Sequence, residues 1–321
     1  MARAVRFRKD SQTEFAKTFR YLADRHSSWQ AWADFVVLAA VAIANRFGDP
    51  DDERHQRREE EYRSIMERYS AKEQEIFPEL FAMTVMALEE NPEQDFLGEM
   101  FMALELGNHW KGQFFTPYDI CKCMAAISMA DIEDRIEKQG WIGIMDCCCG
   151  AGALLIAARN RLYLANPPIG YLPAHLHALF VCQDIDRTAA LMCYIQLSLL
   201  GCSGYVVVGN SLTHPTTGMS SNPVLPIEGE GQEIWCMPMF HDQVWVYRQA
   251  MAKLDGLMAL GVKEPVSEAV REMPVTEPDL PALPANLHDD VRKAPVTDEK
   301  KPAEPEDDLL TVTATGQLSF F

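Results

Sequence analysis

The 321-residue chain reads as an α/β protein built on a mostly parallel sheet. The apolar run Trp141–Met145 closes on Asp146, the turn Cys147–Gly152 carries two glycines, and a helix pattern opens at Ala153. A second short apolar run, Ala178–Cys182, leads into Gln183 and Asp184, and a third, Tyr205–Val208, is rich in β-branched residues. Continuous apolar runs of this length mark strands buried on both faces. Strand, tight loop and helix in succession form the βα unit of a parallel sheet, whose ligand crevice lies at the carboxyl ends of the strands.

Upstream of the sheet the chain is helical. Ser11 and Glu14 have capping-box spacing. Phe15, Phe19 and Leu22, then Trp29, Trp32, Val36 and Ala40, recur at helical intervals and read as core. Asp49–Glu75 is densely charged with mixed sign and reads as a solvated helix or loop, and Glu79–Glu105 returns to helical periodicity. Within the α/β region, Cys121–Met129, Ala189–Leu200 and Gln243–Leu260 read as helices. The expected organisation is a helical region over 1–110, an α/β domain over 111–262 and a tail over 263–321. The tail holds eight of the nineteen prolines and −7 of the net charge of −18. Such a segment buries too little apolar surface to offset its ordering entropy and is expected to be disordered.

Composition points to an intracellular, cytoplasmic protein. The start of the chain has no apolar core of the signal-peptide type, and the longest uninterrupted apolar run, Phe35–Ala44, is too short to span a bilayer. Nine cysteines include the consecutive Cys147–Cys149 and no Cys-x-x-Cys, so they read as reduced core thiols, and no metal site is expected.

The glycine turn excludes two common ligands. No Lys follows Gly152, as a phosphate-binding P-loop requires, and Leu155 stands where a dinucleotide fingerprint needs its third glycine. A loop preceded by an acid and lacking a cation suits a ligand bearing an ammonium and a sulfonium, which S-adenosyl-L-methionine carries. Gly150 and Gly152 allow a sharp bend and a close approach of ligand. Asp184, at the next strand end, is placed to accept from ribose hydroxyls. An ordinary strand-to-helix turn of another α/β enzyme is the competing reading.

Gly112–Pro117 (GQFFTP), Asp146–Gly152 (DCCCGAG), Gln183–Asp186 (QDID) and Gly209–Leu212 (GNSL) follow one another in the order seen in adenine-specific N6 DNA methylases. Over about Asp95 to Phe240 the chain resembles that family, and most of all the modification subunits of type I restriction systems. The resemblance implies a Rossmann-like methyltransferase sheet, S-adenosyl-L-methionine as cofactor and DNA as substrate. It assigns the methionine part of the cofactor to Phe115, Thr116, Asp146, Gly150 and Gly152, the ribose to Asp184 and the adenine to Asn210. A specificity subunit is an implied partner, and a bacterial, phage or mobile-element origin the implied setting.

The catalytic motif departs from the family. Methylases of this type use Asn/Asp-Pro-Pro-aromatic after the fourth strand, where the amide and a carbonyl receive the target amine and the ring stacks on the flipped base. The expected position reads Met237-Pro238-Met239-Phe240, with Met237 in place of the amide and Pro238 and Phe240 kept. Methionine is a weak acceptor. Three outcomes stay open: an inactive pocket, a substitute acceptor such as His241 or Asp242, or completion by a partner. Asn166-Pro167-Pro168 falls between the first helix and the second strand, on the amino edge of the sheet, and reads as a turn.

The charge of −18 implies weak unaided affinity for DNA. The chain ends in Gln317-Leu318-Ser319-Phe320-Phe321, which resembles the peptide by which bacterial DNA-processing proteins dock on the sliding clamp; a chance apolar terminus is the other reading. Two functions follow: an adenine N6 DNA methyltransferase, or a cofactor-binding, non-methylating interaction module of replication or restriction complexes.

Overall fold

The computed structural model describes residues 10–104, 106, 115–163, 174–216, 222–259, 311–312 and 318–319. Six helices come first: α1 (Asp10–Ala23), α2 (Ser28–Phe47), α3 (Glu53–Met66), α4 (Ala71–Gln74), α5 (Ile76–Glu90) and α6 (Phe96–Ala103). The sheet region follows as α7 (Tyr118–Ser128), α8 (Ile132–Gln139), β1 (Ile142–Asp146), α9 (Ala153–Tyr163), α10 (Ala174–His177), β2 (Ala178–Asp184), α11 (Arg187–Leu199), β3 (Ser203–Val208), β4 (Glu233–Cys236) and α12 (Gln243–Ala259).

Helix α2 is apolar on nearly every side, which is the composition of a helix buried all round. It packs against α1, α3 and α5 and against α11 of the sheet region. Phe15, Phe19, Trp32 and Phe35 meet edge to face, with ring centroids 5.6–6.0 Å apart. Two upstream expectations are corrected. Trp29 is 48% exposed although it shares a helical face with Val36, because it falls in the first turn of α2, before the buried stretch that begins at Ala31. Ser11 lies inside α1 rather than capping it, because the helix already begins at Asp10. No single helix among the described residues is long and apolar enough to cross a membrane.

The sheet has the order β1-β2-β3-β4. The first three strands are parallel, with Asp146 opposite Cys182 and Asp184 opposite Val208. Strand β4 runs antiparallel to β3, pairing Glu233 with Val208 and Cys236 with Tyr205. One face of the sheet, carrying Phe180, Cys182 and Val206, joins the core formed by the helices. The other, carrying Leu179, Val181, Tyr205 and Ile234, packs on Val224, Phe240 and Trp245. Helix α12 belongs to the amino edge: Trp245 meets Trp141 at 5.5 Å, and Arg248 donates to the Leu176 carbonyl at 2.8 Å.

Residues Met1–Pro278 form one compact unit, within which the described helices of the helical region pack against the sheet region. Asp279–Phe321 form a second unit, in which the described residues are an antiparallel pair, β5 (Thr311–Val312) with β6 (Leu318–Ser319). The rest of the tail, including Gln317, Phe320 and Phe321, lies outside the described residues.

A buried amide joins the helical region to the sheet. Gln196 of α11 is fully buried; its Oε1 accepts from Leu97 N–H at 3.1 Å, and its Nε2 donates to Asp95 Oδ1 at 2.8 Å and to the Ala151 carbonyl at 2.9 Å. A leucine of similar size would strand these groups away from water. We expect Gln196→Leu to lower the unfolding free energy by about 2–4 kcal/mol in urea titrations, whereas a loss within the measurement error would show that the joint carries no weight.

Candidate functional site

The site begins at the carboxyl ends of β1 and β2. Asp146 ends β1, and its Oδ1 accepts from Cys148 N–H at 3.0 Å, which starts the turn. Gly150 N–H then donates to Asp184 Oδ2 at 2.8 Å, while Asp184 Oδ1 accepts from Asp186 N–H at 2.9 Å. Each Asp184 oxygen is therefore half committed, with a lone pair left over for a ligand. Cys149 N–H adds a bond to the Gln183 carbonyl at 3.0 Å, so the loop is fastened to β2 at two points.

The two glycines have different tasks. Gly150 has φ 54°, and a Cβ there would meet the Phe115 ring at 3.0 Å. Gly152 has φ 96° and faces inward, where a Cβ would stand 2.9 Å from Cys193 Sγ of α11. Gly150 thus sets the ligand side of the loop, and Gly152 lets the loop lie down on its supporting helix. Beneath them Cys149, Cys182 and Cys193 are buried; all nine cysteines are free thiols. Burial pushes the Cys182 thiol up to about 11, so it stays protonated at neutral pH.

A cavity of about 320 Å³ opens above the loop, lined in part by Asp95, Phe115, Thr116, Asp146, Gly150 and Asp184. It adjoins a second of about 620 Å³ that shares Asp95, Phe115 and Thr116. Together they have the dimensions of a site for a nucleoside-sized ligand. Of the seven residues expected to hold a cofactor, Phe115, Thr116, Asp146, Gly150 and Asp184 come together here. Gly152 lies just behind them. Asn210 stands at the same edge but does not line the cavity; its Oδ1 accepts from Leu212 N–H at 2.9 Å and closes the turn after β3. That turn is also held by Gln183, whose Oε1 accepts from Thr216 Oγ1 at 2.8 Å and whose Nε2 donates to the His214 carbonyl at 2.9 Å.

The structure does not bring Met237, Pro238 and Phe240 to this site. Because β4 is antiparallel, they follow its end at the amino edge of the parallel strands, where Met237 N–H donates to the Gly204 carbonyl at 2.9 Å. Met237 and Phe240 are buried, and Phe240 packs against Tyr205 and Trp245. His241 and Asp242 follow at the same edge. Asn166–Pro168 and Gly112–Phe114 lie outside the described residues.

Ile185 and Asp95 are among the lining residues that were not anticipated. Ile185, directly after the second acid, is 70% exposed and presents an apolar face at the mouth of the cavity. Asp95, by contrast, is buried, caps α6 by accepting from Gly98 N–H at 2.9 Å, and still reaches the cavity. Its only trace in the sequence is an acid three residues before a glycine at a helix start. Burial pushes its carboxyl up to about 6, against the opposing bonds from Gln196 and Gly98. Asp146 is raised too, by burial and then by the neighbouring Asp184 charge, with the Cys148 N–H opposing.

The site is thus a crevice at the carboxyl edge of an open α/β sheet, with a glycine loop between two strand-end acids. Residues 93–250 match the model of the N-6 DNA Methylase family, which supports assigning this segment to that family. No match to the chain is found among curated proteins or among solved structures.

Asp95 makes a pH prediction. A carboxyl whose pKa is raised on folding contributes stability that is complete below its unfolded value of 3.8 and is lost as pH rises through about 6. Asparagine keeps the Oδ1 acceptor and has nothing to ionise. Between about pH 4.5 and 7.5, wild type should lose roughly 2–3 kcal/mol relative to Asp95→Asn. Urea midpoints of the two proteins measured across that range check this; parallel curves would refute the assignment.

Proposed function

We propose that the chain binds S-adenosyl-L-methionine in this crevice and acts as a DNA methyltransferase on adenine N6. The observation that carries the reading is the charge of the cavity. Three carboxylates line it, Asp95, Asp146 and Asp184, with no Lys or Arg among its lining residues. A pyrophosphate would be repelled there, whereas an ammonium and a sulfonium would be held. Asp184 has acceptor capacity for ribose hydroxyls, Ile185 offers a flat apolar surface to a base, and Gly150 admits the ligand to backbone distance. When bound, the cofactor supplies an electrophilic methyl group. The part of the protein is to fix the cofactor and to present that methyl at the open end of the crevice.

A second reading is a cofactor-binding protein that does not methylate. It is favoured by one observation: among the described residues, no amide-Pro-Pro-aromatic stands at the carboxyl edge, and Met237–Phe240 sit at the opposite one.

Two measurements separate the readings. Isothermal titration should show cofactor binding by wild type and a loss of about 10–100-fold in Asp184→Ala, the cost of a charged hydrogen-bond partner. Equal binding by both proteins would overturn the ribose assignment. Incubation with methyl-labelled cofactor and unmethylated DNA, followed by nucleoside analysis, should yield N6-methyladenine. Binding without transfer selects the second reading, and absence of binding refutes both.

A further inference from the structure

A separate cleft lies at the same edge of the sheet, between α3 and β4. It encloses about 220 Å³ and is lined by Arg54, Arg57, Arg58 and Arg187 together with Glu61 and Trp235, among others. Four guanidiniums at one place are unexpected in a chain of net charge −18.

Two of the four are neutralised within the protein. Arg187 is clamped between Glu61, at 2.8 and 2.9 Å, and Glu233, at 3.0 Å. Arg54 bonds Asp52 at 2.6 Å and has Glu228 at 3.9 Å. The other two are not. Arg58 sits over the Trp235 ring, its Cζ 4.0 Å from the centroid, and donates to the Ile234 carbonyl at 2.7 Å. Among the described residues no carboxylate bonds it, and burial lowers its pKa. Arg57 is exposed at the rim and makes no ion pair with a described residue. A half-buried guanidinium with donors left over, beside an exposed one, is a receptor for a planar or tetrahedral oxyanion.

The position of the cleft says which anion. Glu233 pairs with Val208, and Val208 with Asp184, so the cleft stands two strands along from the cofactor crevice at the same carboxyl edge. Two strand spacings are about 10 Å, a few phosphates along a nucleic-acid backbone. The crevice is acidic and repels phosphate, while the cleft beside it holds two guanidiniums, Arg57 and Arg58, that no described carboxylate bonds. We propose that Arg57 and Arg58 hold a backbone phosphate of DNA lying across this edge. The inference deepens the DNA-methyltransferase reading and rests on it. It adds a phosphate contact supplied by α3, which lies outside the segment that matches the family.

The test uses the full chain and a fluorescently labelled, unmethylated duplex, followed by anisotropy over a range of salt. Wild type is compared with Arg57→Gln, which disturbs no packing, and with the double variant Arg57→Gln, Arg58→Gln. We expect roughly tenfold weaker DNA binding for the double variant at low salt and a salt slope reduced by about 1–2. Arg57→Gln alone should show the slope reduced by about 1. Cofactor titration serves as the control and should be unchanged in all three proteins. DNA affinity equal in all three, or absent from wild type at low salt, overturns the proposal. So does wild type taking up inorganic phosphate through these arginines while DNA affinity stays unchanged, since the cleft would then serve a free anion. Arginine-dependent DNA binding without methyl transfer would sustain this inference while refuting the methyltransferase reading, so the two fail separately.

Discussion

The buried amide of Gln196 is the joint on which the rest of the structure depends. One side chain on α11 touches the carbonyl of the glycine loop at Ala151, the carboxyl of Asp95 and the backbone of Leu97. Those three belong to the ligand loop, the cavity wall and the first turn of α6. An amide is suited to this place because it has a donor end and an acceptor end, and all its bonds are made out of water, where leaving one unmade is costly. The crevice therefore has the geometry it has because a helix behind it holds both of its walls. Gly152 completes the contact by lacking a Cβ where Cys193 presses against the loop.

Electrostatics divides the carboxyl edge into two zones. Around β1 and β2 the protein gathers carboxylates, two of them raised by burial. Around β4 it gathers guanidiniums: Arg54 and Arg187 matched to carboxylates, Arg58 over Trp235 and Arg57 exposed at the rim. Net charge averages over this separation and hides it. A chain of −18 looks hostile to nucleic acid as a whole, but field is local within a Debye length of about 8–10 Å. Opposite zones about that far apart act almost independently.

The crevice was legible in the sequence because its signals are local. An acid, a glycine turn and an apolar helix over a dozen residues leave little freedom, and Asp146, Gly150 and Asp184 came together as their spacing implied. Strand polarity was not legible. Glu233–Cys236 is a short apolar run that fits a sheet in either direction, and no local feature says that it returns alongside β3 rather than entering on the far side of β1. That choice moved Met237 and Phe240 from an expected catalytic place into the core at the amino edge. Asp95 escaped notice for a related reason: its burial depends on Gln196, 101 residues away. The arginine cleft escaped because Arg58 and Trp235 are brought together only by the fold, and a charged helix such as α3 reads as solvated whatever it later leans on.

The segment that matches the family, 93–250, is shorter than the body that holds it up. Helix α11 lies inside the match, yet it packs against α2, which lies outside. Arg187 is fastened to Glu61, and Trp235 is covered by Arg58, both from α3. A fragment cut at residue 93 would keep every motif by which the family is recognised and would lose the surfaces those motifs rest on. Anyone grafting this domain onto another protein, or trimming it for expression, should count its modules by buried contacts rather than by homology. The piece that can be recognised is smaller than the piece that can be moved.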